Sequence, residues 1–214
     1  MTALPSAPTP AASAPAPAPA PQDFVRTTLD LGDARLRPWS RADIGSPTVD
    51  ALIAASTDEA IALWNPLPTA DRDAATKWLE ARDDAWGKGT LATFALAEST
   101  RPDTLLGALT VRWTDRADGL GMIGYWLVPA ARGRGLATRA TRVAADWAFR
   151  TAGVRRLELA HAVENEASCR VAERCGFPAE GVLRASYRFG DGEYHDEHLH
   201  ARLWSDREQV TTDR

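Results

Sequence analysis

The chain has 214 residues, 44% of them hydrophobic, and a formal net charge of −4. This length allows one domain or a small pair, and eight tryptophans help to supply a sizeable core. The mild acidity argues against a nucleic-acid-binding protein, and no run of about 18 apolar residues predicts a membrane span. The N-terminus lacks the basic start and apolar stretch of a secretion signal, so we expect a cytoplasmic protein.

The N-terminal segment differs from the rest of the chain in composition. Residues Pro5 to Pro21 contain only proline, alanine, serine and threonine. Proline removes N–H donors and the other residues supply little to bury, so we expect residues 1–23 to form a disordered tail. The folded domain is predicted to span 24–206, and residues 207–214 are predicted to be a flexible C-terminus.

The first part of the domain has the periodicity of one strand, a helical stretch and three further strands. Prolines interrupt the helical stretch, and Thr69 or Asp71 is a suitable cap for its longest helix. The predicted segments are a strand at Ala34–Trp39, helices at Asp43–Ser56, at Asp58–Trp64 and from the cap to Trp86, and strands at Leu91–Glu98, Leu105–Trp113 and Gly121–Val128.

A turn with two glycines and two arginines, Arg132 to Gly135, follows the third of these strands. Apolar residues at offsets 0, 4, 7, 8 and 11 from Leu136 predict a helix after the turn, which Gly153 stops. The remaining predicted segments are a strand at Arg156–Val163, a helix at Ala167–Cys175, and the strands Gly181–Phe189 and Tyr194–Trp204 of a closing hairpin.

The glycine turn has the features of a phosphate site. Glycines let the backbone approach a ligand, and a helix N-terminus presents unpaired N–H groups to anions. The spacing excludes a Walker A loop, since no lysine follows Gly135, and a dinucleotide fingerprint, since Thr138 stands where the third glycine belongs. Seven arginines and a single acid between Arg132 and Arg156 predict a local positive field that suits a polyanionic ligand.

The pattern Arg132-x-x-Gly135-x-Ala137 resembles the Gln/Arg-x-x-Gly-x-Gly/Ala signature of the GNAT superfamily, the acetyl-CoA-dependent N-acetyltransferases. The Leu-Val-Pro before the turn and the Leu-Ala-Thr after it are also typical of that family. The order of predicted elements over residues 34–204 is the GNAT order. The resemblance implies an α/β fold: a single GNAT domain with a mixed, mostly antiparallel central sheet of about six or seven strands flanked by helices.

A second group of residues narrows the resemblance to one branch of the superfamily. Asn165-x-x-Ser168 and Gly176-Phe177 resemble elements of the ribosomal-protein N-terminal acetyltransferase (RimJ/RimL-like) branch. This implies transfer of acetyl from acetyl-CoA to a primary amine by direct attack, with a protein or peptide N-terminal α-amine as the acceptor. Two alternatives stay open: a small-molecule amine such as an antibiotic or polyamine, or a non-catalytic acetyl-CoA-binding regulatory module.

The resemblance also assigns residues to the donor, acetyl-CoA. Backbone N–H groups of the turn line the pyrophosphate, the preceding strand pairs with the pantetheine arm, and an N–H near Val128 polarises the thioester carbonyl. Asn165 contacts the cofactor arm, although it is also a good N-cap that would place Ser168 at position N3 of its helix. The predicted CoA-binding residues are Trp126, Leu127, Val128, Arg132, Gly133, Arg134, Gly135, Leu136, Ala137, Thr138 and Asn165.

The predicted catalytic residues are Ser168 and Glu158. By the resemblance, Ser168 lies near the CoA sulfur and protonates or hydrogen-bonds the leaving thiolate. Glu158 is the candidate base, with Glu98, Tyr187 or a chain of water molecules as alternatives. A free α-amine has a pKa near 8, against about 10.4 for lysine, and therefore needs less help from a base.

No metal is predicted. Asp196, His198 and His200 share one strand parity, but three successive ligands on a flat strand surround a single ion poorly, so we interpret them as a solvated or pocket-lining face. His161 receives no role. The cysteines Cys169 and Cys175 are interpreted as reduced thiols, since their six-residue spacing on a helix separates the side chains.

The tryptophans of the helical stretch allow an aromatic-walled acceptor pocket at Trp64, Trp78 and Trp86, although core packing is the default interpretation. The expected partners are acetyl-CoA and an amine acceptor, without nucleic acid or membrane. We expect a monomer or a homodimer.

Overall fold

An eight-stranded sheet runs through the centre of the protein, and the computed structural model describes residues 25–206. The predictions of a tail at 1–23 and a flexible segment at 207–214 concern residues outside this range. The strands are β1 Leu29–Asp30, β2 Ala34–Pro38, β3 Leu91–Glu98, β4 Leu105–Asp115, β5 Leu120–Leu127, β6 Arg156–Ala162, β7 Ala179–Arg188 and β8 Tyr194–Leu203. The helices are α1 Pro47–Ala55, α2 Glu59–Trp64, α3 Arg72–Gly87, α4 Leu136–Arg150 and α5 Glu166–Arg174.

The sheet order is β1-β2-β3-β4-β5-β6-β8-β7. Every neighbouring pair is antiparallel except β5 and β6, which are parallel because helix α4 returns the chain between them. The predicted α/β fold with a mixed, mostly antiparallel sheet flanked by helices is thus confirmed. The sheet has one strand more than the predicted six or seven, because the two-residue strand β1 is too short to produce a periodic signal.

Local capping explains most helix starts. Asp71 begins α3 by accepting a hydrogen bond from the Ala74 N–H at 2.8 Å, and Asp58 begins α2 by accepting from the Ile61 N–H at 3.0 Å. The first predicted helix is shorter than expected. A 3₁₀ turn occupies Arg41–Asp43, and α1 begins only at Pro47, a residue preorganised for a first helical position.

Two apolar clusters cover the two faces of the sheet. The larger contains α4, and its aromatic centre joins Phe94 to Trp86 and Trp147 with ring centroids 5.0 and 5.4 Å apart. The smaller contains α1 and α3, where Trp39 and Trp78 meet edge to face at 5.7 Å. Trp86 is therefore a core residue, as the default interpretation predicted.

Candidate active site

The candidate site is a cleft that opens where β5 and β6 separate. The two strands pair only from Leu120 to Met122 on β5 and from Arg156 to Glu158 on β6. Beyond this point they diverge, and the gap between their carboxyl ends is a cleft of about 410 Å³. Its walls include Ile123, Gly124, Tyr125 and Trp126 of β5, Leu159, Ala160, His161 and Ala162 of β6, and Asn165 and Ser168 at the start of α5.

The glycine turn follows the end of β5, after a 3₁₀ turn at Pro129–Ala131. Gly133 and Gly135 have φ angles of 73° and 70°, in the left-handed region that favours glycine. A Cβ atom at either position would meet nothing within 4 Å, so the space above the turn is open. The backbone conformation and this open approach both fit a site for a bulky anion.

The N-terminus of α4 leaves its donors free. Gly135 is the N-cap and contributes no side-chain cap. Within residues 25–206, no protein group accepts a hydrogen bond from the N–H groups of Gly133 to Thr138. The Leu136 side chain is fully buried, which fixes the first turn of α4 against the core while its N–H faces out. These donors, together with the positive end of the helix dipole, are an arrangement that can bind an anion.

Arg132 differs from the role predicted for it. Its N–H donates to the Pro129 carbonyl at 3.1 Å, so this group is not available to a pyrophosphate. Its guanidinium donates to the Leu127 carbonyl at 3.0 Å and pairs with the Asp58 carboxylate at the start of α2. Arg132 therefore fixes the turn against α2, and the donors begin at Gly133.

The positive field is weaker than the arginine count suggested. Four of the seven arginines between 132 and 156 have carboxylate partners, namely Arg132, Arg134, Arg139 and Arg156. Arg134 and Arg139 share Asp33, with N–O distances of 3.8 and 2.6 Å. The turn therefore attracts anions mainly through its backbone N–H groups.

The Val128 N–H, near which the carbonyl-polarising donor was predicted, already has a backbone partner. The Val128 N–H donates to the Leu106 carbonyl of β4 at 3.0 Å. Residues of an antiparallel pair alternate between those that bond to the partner and those that do not, so Tyr125 and Leu127 direct their backbone groups away from β4. The open edge of β5 is therefore provided by both backbone groups of Tyr125 and by the N–H of Leu127, whose carbonyl already accepts from Arg132. Trp126 is among the residues that line the cleft.

Asn165 is the N-cap of α5, as the capping alternative predicted. Its side-chain oxygen accepts from the Ser168 N–H at 3.2 Å, which places Ser168 at position N3. The Ser168 hydroxyl accepts a hydrogen bond from the Tyr125 hydroxyl, with 3.2 Å between the oxygens. Burial raises the pKa of Tyr125 to about 12, so this phenol stays protonated at neutral pH.

Tyr125 was not predicted as a functional residue. The sequence signal for a functional role was its position two residues before Leu127, which places both residues on the same side of the strand. Its hydrogen-bond partner Ser168 is 43 residues away in the sequence, and the two meet only because β5 and β6 separate.

The residues predicted as possible bases differ in their position relative to the cleft. Glu158 is absent from the cleft walls, and its carboxylate pairs with Arg156 at 2.8 Å. Glu98 pairs with Arg101 at 2.6 Å at the far end of β3. Tyr187 does line the cleft and is half exposed. The carboxylate among the lining residues is Glu197 of β8, which sequence reasoning missed; it accepts from the Ser186 hydroxyl at 2.7 Å.

The cleft continues into an aromatic and cationic region. Trp64 and Trp78 line it, although Trp78 is also a buried member of the smaller apolar cluster, as the default interpretation predicted. Trp64 packs edge to face on Phe189 of the hairpin at 5.6 Å. Arg82 lies over the Trp78 ring, 4.6 Å from its centroid. The Arg82 Nε is buried without a hydrogen-bond partner among the described residues, and burial lowers the pKa of this guanidinium.

The hairpin of β7 and β8 closes onto α2. Gly190 donates its N–H to the Leu63 carbonyl at 2.9 Å. A Cβ atom at Gly190 would lie 1.7 Å from the Ala62 carbonyl oxygen, so only glycine permits this approach. Helix α2 and the hairpin tip are thereby held together beside the cleft.

Helices α4 and α5 are tied to each other. The Cys175 thiol at the end of α5 donates to the Thr138 carbonyl at 3.3 Å, and the Arg142 side chain donates to the Arg174 carbonyl at 3.2 Å. Both cysteines are free thiols, as predicted. The helix that begins at the glycine turn is thus fixed relative to the helix that carries Ser168.

Three histidines gather beside Ser168. His200 is fully buried, so the interpretation of this face as solvated is wrong for that residue. Asp196 is turned elsewhere and accepts from the Ala185 N–H at 2.8 Å. His161, which received no role, lies 3.3 Å from His200 between their Nε2 atoms, and burial together with the neighbouring histidines lowers its pKa.

The comparison with protein families defines the class. The sequence profile of the acetyltransferase (GNAT) domain matches residues 34–178, about two thirds of the chain. The protein therefore belongs to the GNAT acetyltransferase family. Among residues 25–206, no helix is long and apolar enough to cross a membrane.

Individual relatives agree with the branch that the sequence resembles. The chain is 34% identical over 108 residues to a Bacillus subtilis (strain 168) protein named "Probable N-acetyltransferase YjcK", covering 50% of this chain and 59% of the relative. It is 29% identical over 103 residues to the ribosomal-protein-serine acetyltransferase of Escherichia coli (strain K12), covering 48% of this chain and 57% of the relative. The matches thus span little more than half of each relative.

Among solved structures, the fold is similar to that of RimL, a ribosomal L7/L12 alpha-N-protein acetyltransferase, in complex with coenzyme A. The TM-score is 0.74 over 83% of this chain and 98% of RimL, at 19% sequence identity. At this identity the likeness concerns the fold.

Proposed function

We propose that this protein transfers acetyl from acetyl-CoA to a primary amine by direct attack. The observation that carries the proposal is a pair of features at the carboxyl end of β5. The turn that follows the strand has N–H groups without a partner among the described residues, and a cleft along the strand holds the Tyr125 and Ser168 hydroxyls. The N–H groups suit the polyanionic part of acetyl-CoA, and the hydroxyl groups suit its thioester end.

The residues on the acetyl-CoA side of the site have separate roles in this proposal. The N–H groups of Gly133 to Thr138 bind the pyrophosphate, and the edge of β5 at Tyr125 and Leu127 pairs with the pantetheine arm. A backbone N–H on this edge polarises the thioester carbonyl, in place of the Val128 N–H, which is bonded to β4. Asn165 retains a side-chain NH₂ that is free to donate to the arm while its oxygen caps α5.

The hydroxyl pair supplies the proton for the leaving group. The amine attacks the carbonyl carbon, the C–S bond breaks, and the sulfur takes a proton from Ser168. Tyr125 donates to Ser168 and replaces that proton, and water then returns a proton to the phenolate. The raised pKa of Tyr125 keeps the phenol in the protonated form that the relay requires. These hydroxyl groups in the cleft argue against a non-catalytic binding module.

The amine must lose a proton before or during attack. Glu158 is replaced as the candidate base because it is paired with Arg156 away from the cleft. Glu197 is the carboxylate on the cleft wall, and it accepts the amine proton directly or through water.

The acceptor is proposed to be the N-terminal α-amine of a protein or peptide. Arg82 and Arg112 line the cleft against one carboxylate, Glu197. Two guanidinium groups repel a polycationic amine, whereas a peptide offers carbonyl and carboxylate acceptors to the guanidinium groups of Arg82 and Arg112. The charge of the walls thus favours a peptide over a polyamine or a cationic antibiotic.

Mass spectrometry of the full chain with acetyl-CoA tests this choice. The acceptors are a peptide panel with acidic, neutral and basic residues after the N-terminus, each with an N-terminally blocked control, together with polyamines and aminoglycosides. We expect a gain of one acetyl group on the α-amine of acidic peptides and none on the blocked forms. Preferential acetylation of polyamines would overturn the acceptor assignment, and acetylation of no amine, with CoA still bound, would overturn the transfer itself.

A further inference from the structure

A second chemical centre lies behind the cleft wall, where three elements meet. His161 is on β6, His198 and His200 are on β8, and Cys169 is on α5. One ligand atom from each side chain lies within 4.8 Å of all the others. The chain has four histidines and two cysteines in total, so most of its nitrogen and sulfur metal ligands converge here.

The sheet register brings the histidines together. His161 is directly opposite His198 in the antiparallel pair of β6 and β8, and His200 lies opposite Leu159. The rings of His161 and His200 stack with centroids 5.2 Å apart, and the His198 ring is 5.4 Å from that of His161. Ligands from two strands and a helix surround a point from several directions, unlike three ligands along one strand.

Backbone carbonyls fix the tautomers of two of these rings. The His161 Nδ1 is 2.8 Å from the Ala162 carbonyl oxygen, and the His200 Nδ1 is 3.0 Å from the Phe177 carbonyl oxygen. A carbonyl oxygen only accepts, so each Nδ1 carries the hydrogen and each neutral ring leaves its Nε2 lone pair free. Metal-binding histidines are oriented by the same kind of second hydrogen bond.

The two free lone pairs point at each other. The Nε2 atoms of His161 and His200 are 3.3 Å apart, and the Cys169 sulfur is 3.9 Å from the His200 Nε2. Two buried acceptors cannot satisfy each other without a proton or a cation between them. Zn–N bonds of about 2.0–2.1 Å at a tetrahedral ion separate two nitrogens by about 3.3–3.4 Å.

We propose that His161, His198, His200 and Cys169 bind one zinc ion. Imidazole and thiolate ligands select zinc over magnesium or calcium, and four protein ligands close a tetrahedral shell and leave no position for substrate. The ion is therefore structural. It would join α5 to β6 and β8, and because Cys169 follows Ser168 directly, it would hold that hydroxyl at the cleft.

Cobalt substitution of the full-length, tag-free protein tests the site. After removal of metal by a chelator, Co²⁺ is titrated into the reduced protein. We expect one equivalent to give intense tetrahedral d–d bands and a thiolate-to-cobalt charge-transfer band, both abolished by one equivalent of Zn²⁺. In Cys169→Ala we expect loss of the charge-transfer band, and in His200→Ala loss of stoichiometric binding.

Two variants serve as matched controls. Cys175→Ala removes the other thiol, and His195→Ala removes the remaining histidine, which pairs with Asp191 and Glu164 outside the cluster. Both should keep the complete cobalt spectrum. Weak or octahedral cobalt binding by folded, fully reduced wild-type protein would overturn the proposal, as would a charge-transfer band that disappears in Cys175→Ala and persists in Cys169→Ala.

A thermal measurement covers the case in which a variant folds poorly. Zinc should raise the Tm of the wild-type protein and of both controls, because an ion that binds only the folded state stabilises it. The Tm of Cys169→Ala should respond much less. An equal response of Cys169→Ala and wild type would contradict the assigned ligand. This test is independent of acetyl transfer, so its failure leaves the proposed reaction in place.

Discussion

The donor and acceptor halves of the proposed site are built in different ways. The donor half, formed by the turn at 132–135, the start of α4 and the edge of β5, presents mainly backbone groups from one continuous stretch of chain. The acceptor half, formed by α2, α3 and the β7–β8 hairpin, presents side chains such as Trp64, Arg82 and Glu197 from distant segments. A backbone site depends on local conformation, whereas a side-chain site depends on how remote elements meet, and the two should respond differently to substitution.

The largest effect is expected at the donor half. Gly135→Val places a β-branched residue at a φ of 70°, which costs about 1–2 kcal/mol in conformation alone, and a side chain over the anion site. We expect CoA affinity to fall by about 100-fold or more, measured by calorimetry.

Gly181→Ala is the control for Gly135→Val, because Gly181 has open space around it and an ordinary backbone conformation. It should bind CoA as the wild type does. Unchanged affinity in a folded Gly135→Val protein would refute the assignment of the turn.

The next effect is expected where the halves meet. Tyr125→Phe and Ser168→Ala each interrupt the proposed proton relay, and we expect kcat to fall by on the order of 10²-fold with little change in CoA affinity. The pH profile carries a further check. A raised pKa means that the acid form persists as the pH rises, so Tyr125 should cause no loss of kcat until the pH approaches about 12. An alkaline limb near pH 8 that disappears in Tyr125→Phe would contradict this role.

A smaller effect is expected in the acceptor half. Gly190→Ala places a Cβ atom against the Ala62 carbonyl and should move the hairpin tip away from α2. We expect the KM for the amine to rise by about tenfold, the equivalent of about 1.4 kcal/mol, while CoA affinity stays unchanged. Steady-state kinetics in which each substrate is varied in turn separates an effect on the amine from an effect on acetyl-CoA. A loss confined to CoA binding would show that the halves are not separate.

The smallest effect separates two roles of one residue. Asn165→Ala removes the cap of α5 and should lower the free energy of unfolding by about 1 kcal/mol, measured by denaturant unfolding. Asn165→Asp restores the cap but not the side-chain NH₂. If Asn165 also donates to the CoA arm, the aspartate variant recovers stability and not CoA affinity; recovery of both would reduce Asn165 to a cap.

The same contrast explains what the sequence could predict. The turn, its glycines and the helix after it are adjacent in the chain, and their spacing was sufficient to identify the family and to predict an anion site there. Asn165 and Ser168 were placed correctly at N-cap and N3 because capping is also a local rule.

What the sequence could not supply is information that is not local. That the Val128 N–H is bonded to β4 depends on the register with Leu106. Glu197 was not considered as a base, and the pairing of Glu158 with Arg156 was not visible, because both depend on how distant segments meet. The histidine cluster was missed for the same reason, since His161 and His198 are 37 positions apart and meet only through the register of β6 and β8.

The tie between α4 and α5 has a consequence for the choice of acyl group. The Thr138 carbonyl, bonded to the Cys175 thiol, belongs to the first turn of α4, so the proposed phosphate site and Ser168 are held at a set separation. With its pyrophosphate bound at the turn, a donor would place its sulfur at the same point whatever acyl group it carries. The extra carbons of a longer acyl chain would then project past Ser168 into the space that the amine needs. Chain-length selection would then take the form of competition between the two substrates for one volume.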